Sequence, residues 1–204
     1  MRSIDFRLYL ITDRYLLPPD SLAKRIEALI QNGIKAVQLR EKDLPTREIL
    51  NLTKEIQTGS AKLFINDRAD IAHAVGANGL HIPEHGFPAN EARKVVGDSL
   101  IGKSAHSIEA AIRAEEEGVD FITFGPIYDT PSKRQFGEPL GLRKLKEVAS
   151  KISIPVFAIG GINPERAKEC LDVGAHGVAV ISDLLVANDP QSQVEKYLNV
   201  LGSL

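Results

Sequence analysis

Eight short apolar runs rich in β-branched residues recur along the chain, at residues 8–12, 36–40, 62–66, 79–82, 100–104, 120–124, 155–159 and 177–181. Most are followed by a stretch whose apolar residues have helical spacing. Residues 21–32 carry Leu22, Ile26, Leu29 and Ile30; residues 47–57 carry Ile49, Leu50, Leu52 and Ile56. Residues 107–117 carry Ile108, Ala111, Ile112 and Ala114, and residues 164–173 carry Ala167, Leu171 and Val173. Short strands alternating with longer helices predict repeated βαβ units and a parallel sheet. The punctuation repeats as well. Asn32-Gly33, Val75-Gly76, Glu117-Gly118 and Val173-Gly174 each end a helical stretch shortly before the next apolar run. Glycine there suits the left-handed conformation that closes many helices, so one helix–turn–strand unit is reused around the chain.

Eight such units in 204 residues fit a closed (β/α)8 TIM barrel, read as a single domain over 1–204. The rival architecture, a doubly wound nucleotide-binding sheet, calls for a glycine-rich turn after its first strand. Here the first run leads into Asp13-Arg14-Tyr15, with no glycine. The connection at 130–138 is long and rich in Pro, Gly and Lys, which marks a candidate active-site loop.

Composition narrows the functional classes. A net charge of -2 provides no broad field for nucleic acid. A single cysteine, Cys170, excludes an intrachain disulfide, and in mid-helix it reads as a small buried hydrophobe. No apolar stretch approaches the roughly 20 residues of a membrane span, and the first residues lack signal-peptide architecture, so a soluble cytoplasmic domain is expected. A homo-oligomer is compatible with the sequence but not specified by it.

In a barrel of this kind the chemistry lies at the C-terminal ends of the strands. Alternation puts Gln38 and Arg40 on one face and Leu39 on the other. With Leu39 packed against helices, Gln38 and Arg40 point into the mouth. Asn66 and Asp67 end the third run, His81 the fourth and Ser104 the fifth; Thr130, Ser132 and Lys133 follow the sixth. Arg40, Lys42 and Lys133 are suited to a multiply charged oxyanion such as diphosphate. Gly160-Gly161 after the seventh run and Ser182 after the eighth match the usual phosphate site of such barrels. Asp67 is the best candidate for a magnesium ligand, with helix N-capping of residues 68–75 as its structural alternative. His81 and His106 near the rim are read as structural, and Glu115-Glu116-Glu117 as a solvated helix face.

Taken in order, Tyr9-Leu-Ile-Thr-Asp13, Val37-Gln-Leu-Arg-Glu-Lys42, Ile65-Asn-Asp67, Gly79-Leu-His81 and Gly102-Lys-Ser-Ala-His-Ser107 resemble a known pattern. So do Phe124-Gly-Pro-Ile-Tyr128, Thr130-Pro-Ser-Lys133, Ala158-Ile-Gly-Gly-Ile162 and Val178-Ala-Val-Ile-Ser182. The pattern is that of the thiamine-phosphate synthase family, whose close branch is the thiazole tautomerases. The resemblance implies a transferase that joins hydroxymethylpyrimidine diphosphate to thiazole phosphate and releases diphosphate. It implies Arg40, Lys42, Asn66 and Lys133 on the diphosphate, Asp67 on Mg2+, Gln38 on the pyrimidine and Ser104 near the reacting centre. Thr130, Ser132, Gly161, Ile181 and Ser182 would hold the thiazole phosphate.

Two departures stand out. Gly86 occupies the position of the family's second magnesium ligand, in the run Ile82-Pro83-Glu84-His85-Gly86, leaving Glu84 and His85 as potential substitutes. The form Pro83 to Arg93 resembles the tautomerase branch, yet Pro126 stands where that branch has its catalytic histidine. Three functions are therefore carried forward. One is the synthase; the second is a tautomerase using His81 or His106 on a thiazole carboxylate phosphate. The third is a non-catalytic binder of thiazole or thiamine phosphate.

Overall fold

The computed structural model describes residues 2–130 and 138–202. The eight apolar runs form parallel strands β1 (Leu8–Ile11), β2 (Ala36–Leu39), β3 (Lys62–Asn66), β4 (Gly79–Ile82), β5 (Leu100–Ala105), β6 (Phe121–Phe124), β7 (Val156–Ile159) and β8 (Gly177–Val180). They pair in sequence order, and β8 returns to β1, closing the barrel. Between and after them run α1 (Leu22–Gln31), α2 (Thr46–Glu55), α3 (Ala69–Ala74), α4 (Ala89–Val96), α5 (Ile108–Glu116), α6 (Gly141–Lys151), α7 (Pro164–Asp172), α8 (Ser182–Leu185) and α9 (Pro190–Leu201). The expected (β/α)8 TIM barrel is the observed fold. Strand and helix ends differ from the sequence reading by one or two residues, as frayed termini do. Gly33, Gly76, Gly118 and Gly174 all have positive φ, as the helix-closing turns require.

Two apolar layers hold the barrel. Outward-facing Leu10, Val37, Leu39, Ile65, Leu80, Ile101, Ile122 and Val178 pack against the helices. Inside, Tyr9, Phe64, Phe121 and Phe157 meet Phe6, which enters from the N-terminal segment; Phe6 and Phe157 have ring centroids 5.2 Å apart. Phe6 is 1% exposed, so residues ahead of β1 plug the end of the barrel away from the strand C-termini. Glycines make room for these rings. A Cβ on Gly79 would lie 2.3 Å from the Phe64 ring, and one on Gly102 would lie 2.4 Å from Phe121.

Two further placements bear on the outer shell, one of them a correction. Lys103 lies between inward Gly102 and Ser104 and so points outward, where its Nζ donates to Glu117 Oε2 at 2.5 Å. Glu115 and Glu117 are not a solvated face. Glu115 accepts from Ser153 N and Oγ at 2.7 Å, while Glu117 accepts from Ala89 N at 3.1 Å, at the start of α4. Cys170 is fully buried in α7, as expected, and burial pushes its thiol up to about 11.

Candidate active site

The C-terminal mouth of the barrel opens into a cavity of about 620 Å³. Gln38, Arg40, Lys42, Asn66, Ser104, Thr130, Gly161, Ile181 and Ser182 all line it. Residues from six of the eight βα units are thus brought to one mouth. Ser132 and Lys133 lie outside the described residues.

One wall is cationic. Arg40 leaves the end of β2 on the inward face, and its backbone N–H donates to Thr12 Oγ1 at 2.9 Å. Thr12 in turn donates to the buried carboxylate of Glu41 at 2.6 Å, and that carboxylate also accepts from Arg14 N at 3.2 Å. The ends of β1 and β2 are therefore stitched together, which fixes where the Arg40 side chain starts. The guanidinium of Arg40, the ammonium of Lys42 and the amide of Asn66 make no side-chain hydrogen bond among the described residues, and all three face the cavity.

The opposite wall is formed by a glycine turn and the start of a short helix. Gly160 and Gly161 have φ of 99° and 64°, conformations closed to most side chains. A Cβ on Gly161 would lie 2.8 Å from Asp129 O. Arg166 Nη1 donates to Gly161 O at 2.6 Å and ties the turn to α7. Next to it, Ile181 and Ser182 open α8, the short extra helix that barrels of this class use at their phosphate site. Asp183 accepts from Tyr197 Oη at 2.6 Å and Gln193 Nε2 at 2.7 Å, so α9 anchors that helix.

Between the walls lies a polar floor of Gln38, His81, Ser104 and Thr123. His81 is 2% exposed, with Nε2 3.1 Å from Ser104 Oγ. Burial, reinforced by the charge of Arg40, pushes its pKa down to about 3, so the imidazole is neutral. Thr123 was passed over in the sequence reading. It shares inward parity with Phe121, and continuing the alternation along β6 would have found it.

Asp67 sits at the end of β3 with φ of 63°. It does not cap α3: the cap position is Arg68, and no side chain makes the capping bond. Its carboxylate faces Gly86, whose added Cβ would lie 3.1 Å from Asp67 Oδ1. Glu84 lines the cavity, and its carboxylate accepts from His106 N at 2.6 Å. Among the described residues no three His, Cys, Asp or Glu side chains converge as a metal cage. No helix there is long and apolar enough to cross a membrane.

Comparison with known proteins gives a consistent picture. A family described as "Thiamine monophosphate synthase" matches residues 8–184. A protein named thiamine-phosphate synthase in Clostridium novyi is 43% identical over 202 residues, spanning 97% of this chain and 99% of its own. Another of that name in Clostridium acetobutylicum is 42% identical, spanning 98% of this chain and 97% of its own. The solved structure of thiamine phosphate pyrophosphorylase from Pyrococcus furiosus superposes with a TM-score of 0.85 at 33% identity, covering 96% of this chain and 95% of that one. With the barrel complete and the match running through nearly all of it, the chain belongs to the thiamine monophosphate synthase family.

Proposed function

We propose that the protein is a thiamine-phosphate synthase, transferring the pyrimidinylmethyl group of hydroxymethylpyrimidine diphosphate to the nitrogen of thiazole phosphate. The observation that carries this reading is one cavity lined on one side by Arg40, Lys42 and Asn66 and on another by Gly160, Gly161 and Ser182, with a polar floor between them. A single-substrate phosphate enzyme needs only one such wall. Two phosphorylated heterocycles need both, with their rings meeting between.

The chemistry follows from charge. The C–O bond to diphosphate breaks, and its electron pair leaves with the diphosphate. The thiazole nitrogen then donates its lone pair to the pyrimidinylmethyl cation and forms the C–N bond. Negative charge grows on the departing group, so cations fixed beforehand accelerate the step. Arg40, Lys42, Asn66 and Lys133 are assigned to that charge, Ser104 to the reacting centre and Gln38 to the pyrimidine. Thr130, Ser132, Gly161, Ile181 and Ser182 are assigned to the thiazole phosphate.

Asp67 fits a magnesium role, because its carboxylate is exposed, does not serve as a helix cap and follows the cavity-lining Asn66 at the end of β3. Magnesium is usually held by one or two carboxylates together with substrate phosphate oxygens. Bound by Asp67, the ion would neutralise charge on the diphosphate. Gly86 supplies no second carboxylate.

The tautomerase alternative is not favoured. It needs a histidine to move a proton, yet both ring nitrogens of His81 face Tyr9, Ser104 and Thr123, and Pro126 stands where that branch has its histidine. The test is to supply both substrates with magnesium and quantify thiamine phosphate and diphosphate together. Equimolar products are expected; no product at high enzyme concentration rejects the assignment. Binding of both substrates without turnover would point to the non-catalytic alternative.

A further inference from the structure

Beneath the cavity, Gln38, Tyr9, His81 and Ser104 touch in series. Gln38 Nε2 donates to Tyr9 Oη at 3.3 Å; Tyr9 Oη lies 3.4 Å from His81 Nδ1; His81 Nε2 lies 3.1 Å from Ser104 Oγ. We infer that Tyr9 and His81 are positioning residues: as a hydrogen-bond chain of fixed direction, they make the Ser104 hydroxyl a donor toward bound substrate.

The direction follows from counting protons. Tyr9 Oη accepts from Gln38, and the one acceptor within reach of its own proton among the described residues is His81 Nδ1. A neutral imidazole has one acceptor and one donor nitrogen. With Nδ1 accepting, Nε2 carries the proton and donates to Ser104 Oγ. Thr123 Oγ1 also donates to Ser104 Oγ, at 3.3 Å. A hydroxyl oxygen accepts twice, and both places are then filled. The remaining proton of Ser104 is left for the cavity, which Ser104 lines.

Neutrality of His81 is secured by its surroundings. It is 2% exposed, its ring nitrogens face only hydroxyls, and no carboxylate among the described residues is bonded to it to hold a second proton. Tyr9 is uncharged too, because burial raises its phenol. A donor is what an oxygen gaining charge requires. The inference rests on the synthase reading for the identity of that oxygen, the leaving diphosphate, but the polarity of the chain does not.

The test uses the intact protein labelled with ¹⁵N-histidine, without ligand, at neutral pH, with the His81 signals assigned by their loss in His81→Asn. The Nε2–H tautomer is expected; an Nδ1–H tautomer overturns the inference. In Tyr9→Phe the ring is kept and the donor to Nδ1 is lost. His81 is then free to hold its proton on Nδ1 and accept from Ser104, withdrawing that hydroxyl from the cavity. The expected result is a tautomer change with kcat down on the order of tenfold, the effect of one ordinary hydrogen bond, and KM unchanged. Combining Tyr9→Phe with Ser104→Ala should cost no more than Ser104→Ala alone. An unchanged kcat in Tyr9→Phe, or multiplicative losses in the pair, overturns the inference. Should Tyr9→Phe fail to fold, the wild-type tautomer decides. If the wild type forms no thiamine phosphate, the function assigned above fails while the tautomer still reports the chain's direction.

Discussion

Arg40 makes no side-chain hydrogen bond among the described residues, yet its backbone is fixed by Thr12 and Glu41. Removing its charge by Arg40→Ala should slow turnover on the order of 100-fold while leaving stability nearly unchanged, since the guanidinium supports no fold contact. Steady-state kinetics with a parallel urea titration checks both halves. At Gly86, the substitution Gly86→Asp would bring a carboxylate beside Asp67, provided that Ile82 Cγ2 and Pro83 Cδ, 2.7 and 2.9 Å from the new Cβ, give way. Tighter magnesium binding in the presence of diphosphate, followed by calorimetry, is the expected outcome. Unchanged affinity would remove Asp67 from the magnesium role. His81 adds a pH dependence. Its pKa in the fold, about 3, lies below the unfolded value near 6.5, so the unfolded chain binds the extra proton between these limits. Its contribution is therefore full above pH 6.5 and lost as pH falls toward 3, at about 1.4 kcal/mol per pH unit. The stability gap between wild type and His81→Asn, measured from pH 7 to 4, should shrink with acid by that slope.

At the level of strands and helices, parity along β2 sufficed to aim Gln38 and Arg40 inward before any coordinates, because a strand with one face on helices leaves no other choice. The same rule, applied to β5 and β6, separates Ser104 from Lys103 and reveals Thr123. What periodicity could not express was partnership across the chain. Glu115 and Glu117 look like a solvated row until Ser153 and the first turn of α4 arrive beside them. The capping role open to Asp67 was likewise local logic, overridden when the chain took a left-handed turn at that residue. The strand glycines are legible only in hindsight, since what they avoid are rings on neighbouring strands. Gly102→Ala should destabilise the barrel by about 1–3 kcal/mol through overpacking against Phe121. Pairing it with Phe121→Leu should recover part of the loss, as read from denaturation midpoints.

Seen whole, the molecule separates its stabilising end from its reactive end. Phe6 belongs to the plug, beneath the rings and remote from the mouth. Phe6→Ala should cost about 3–5 kcal/mol of stability by opening a cavity, with kcat of the surviving folded fraction close to wild type. Thermal denaturation and activity measured well below the transition distinguish that outcome from a shared role. The ring closure of β1 onto β8 has its own consequence for how the protein is made. A nascent chain leaving the ribosome presents β1 with one neighbour, β2, and a bare edge that stays unsatisfied until β8 is translated. Neither wall of the catalytic mouth can face the other before then, so premature termination yields an open, sticky arc rather than a slower enzyme.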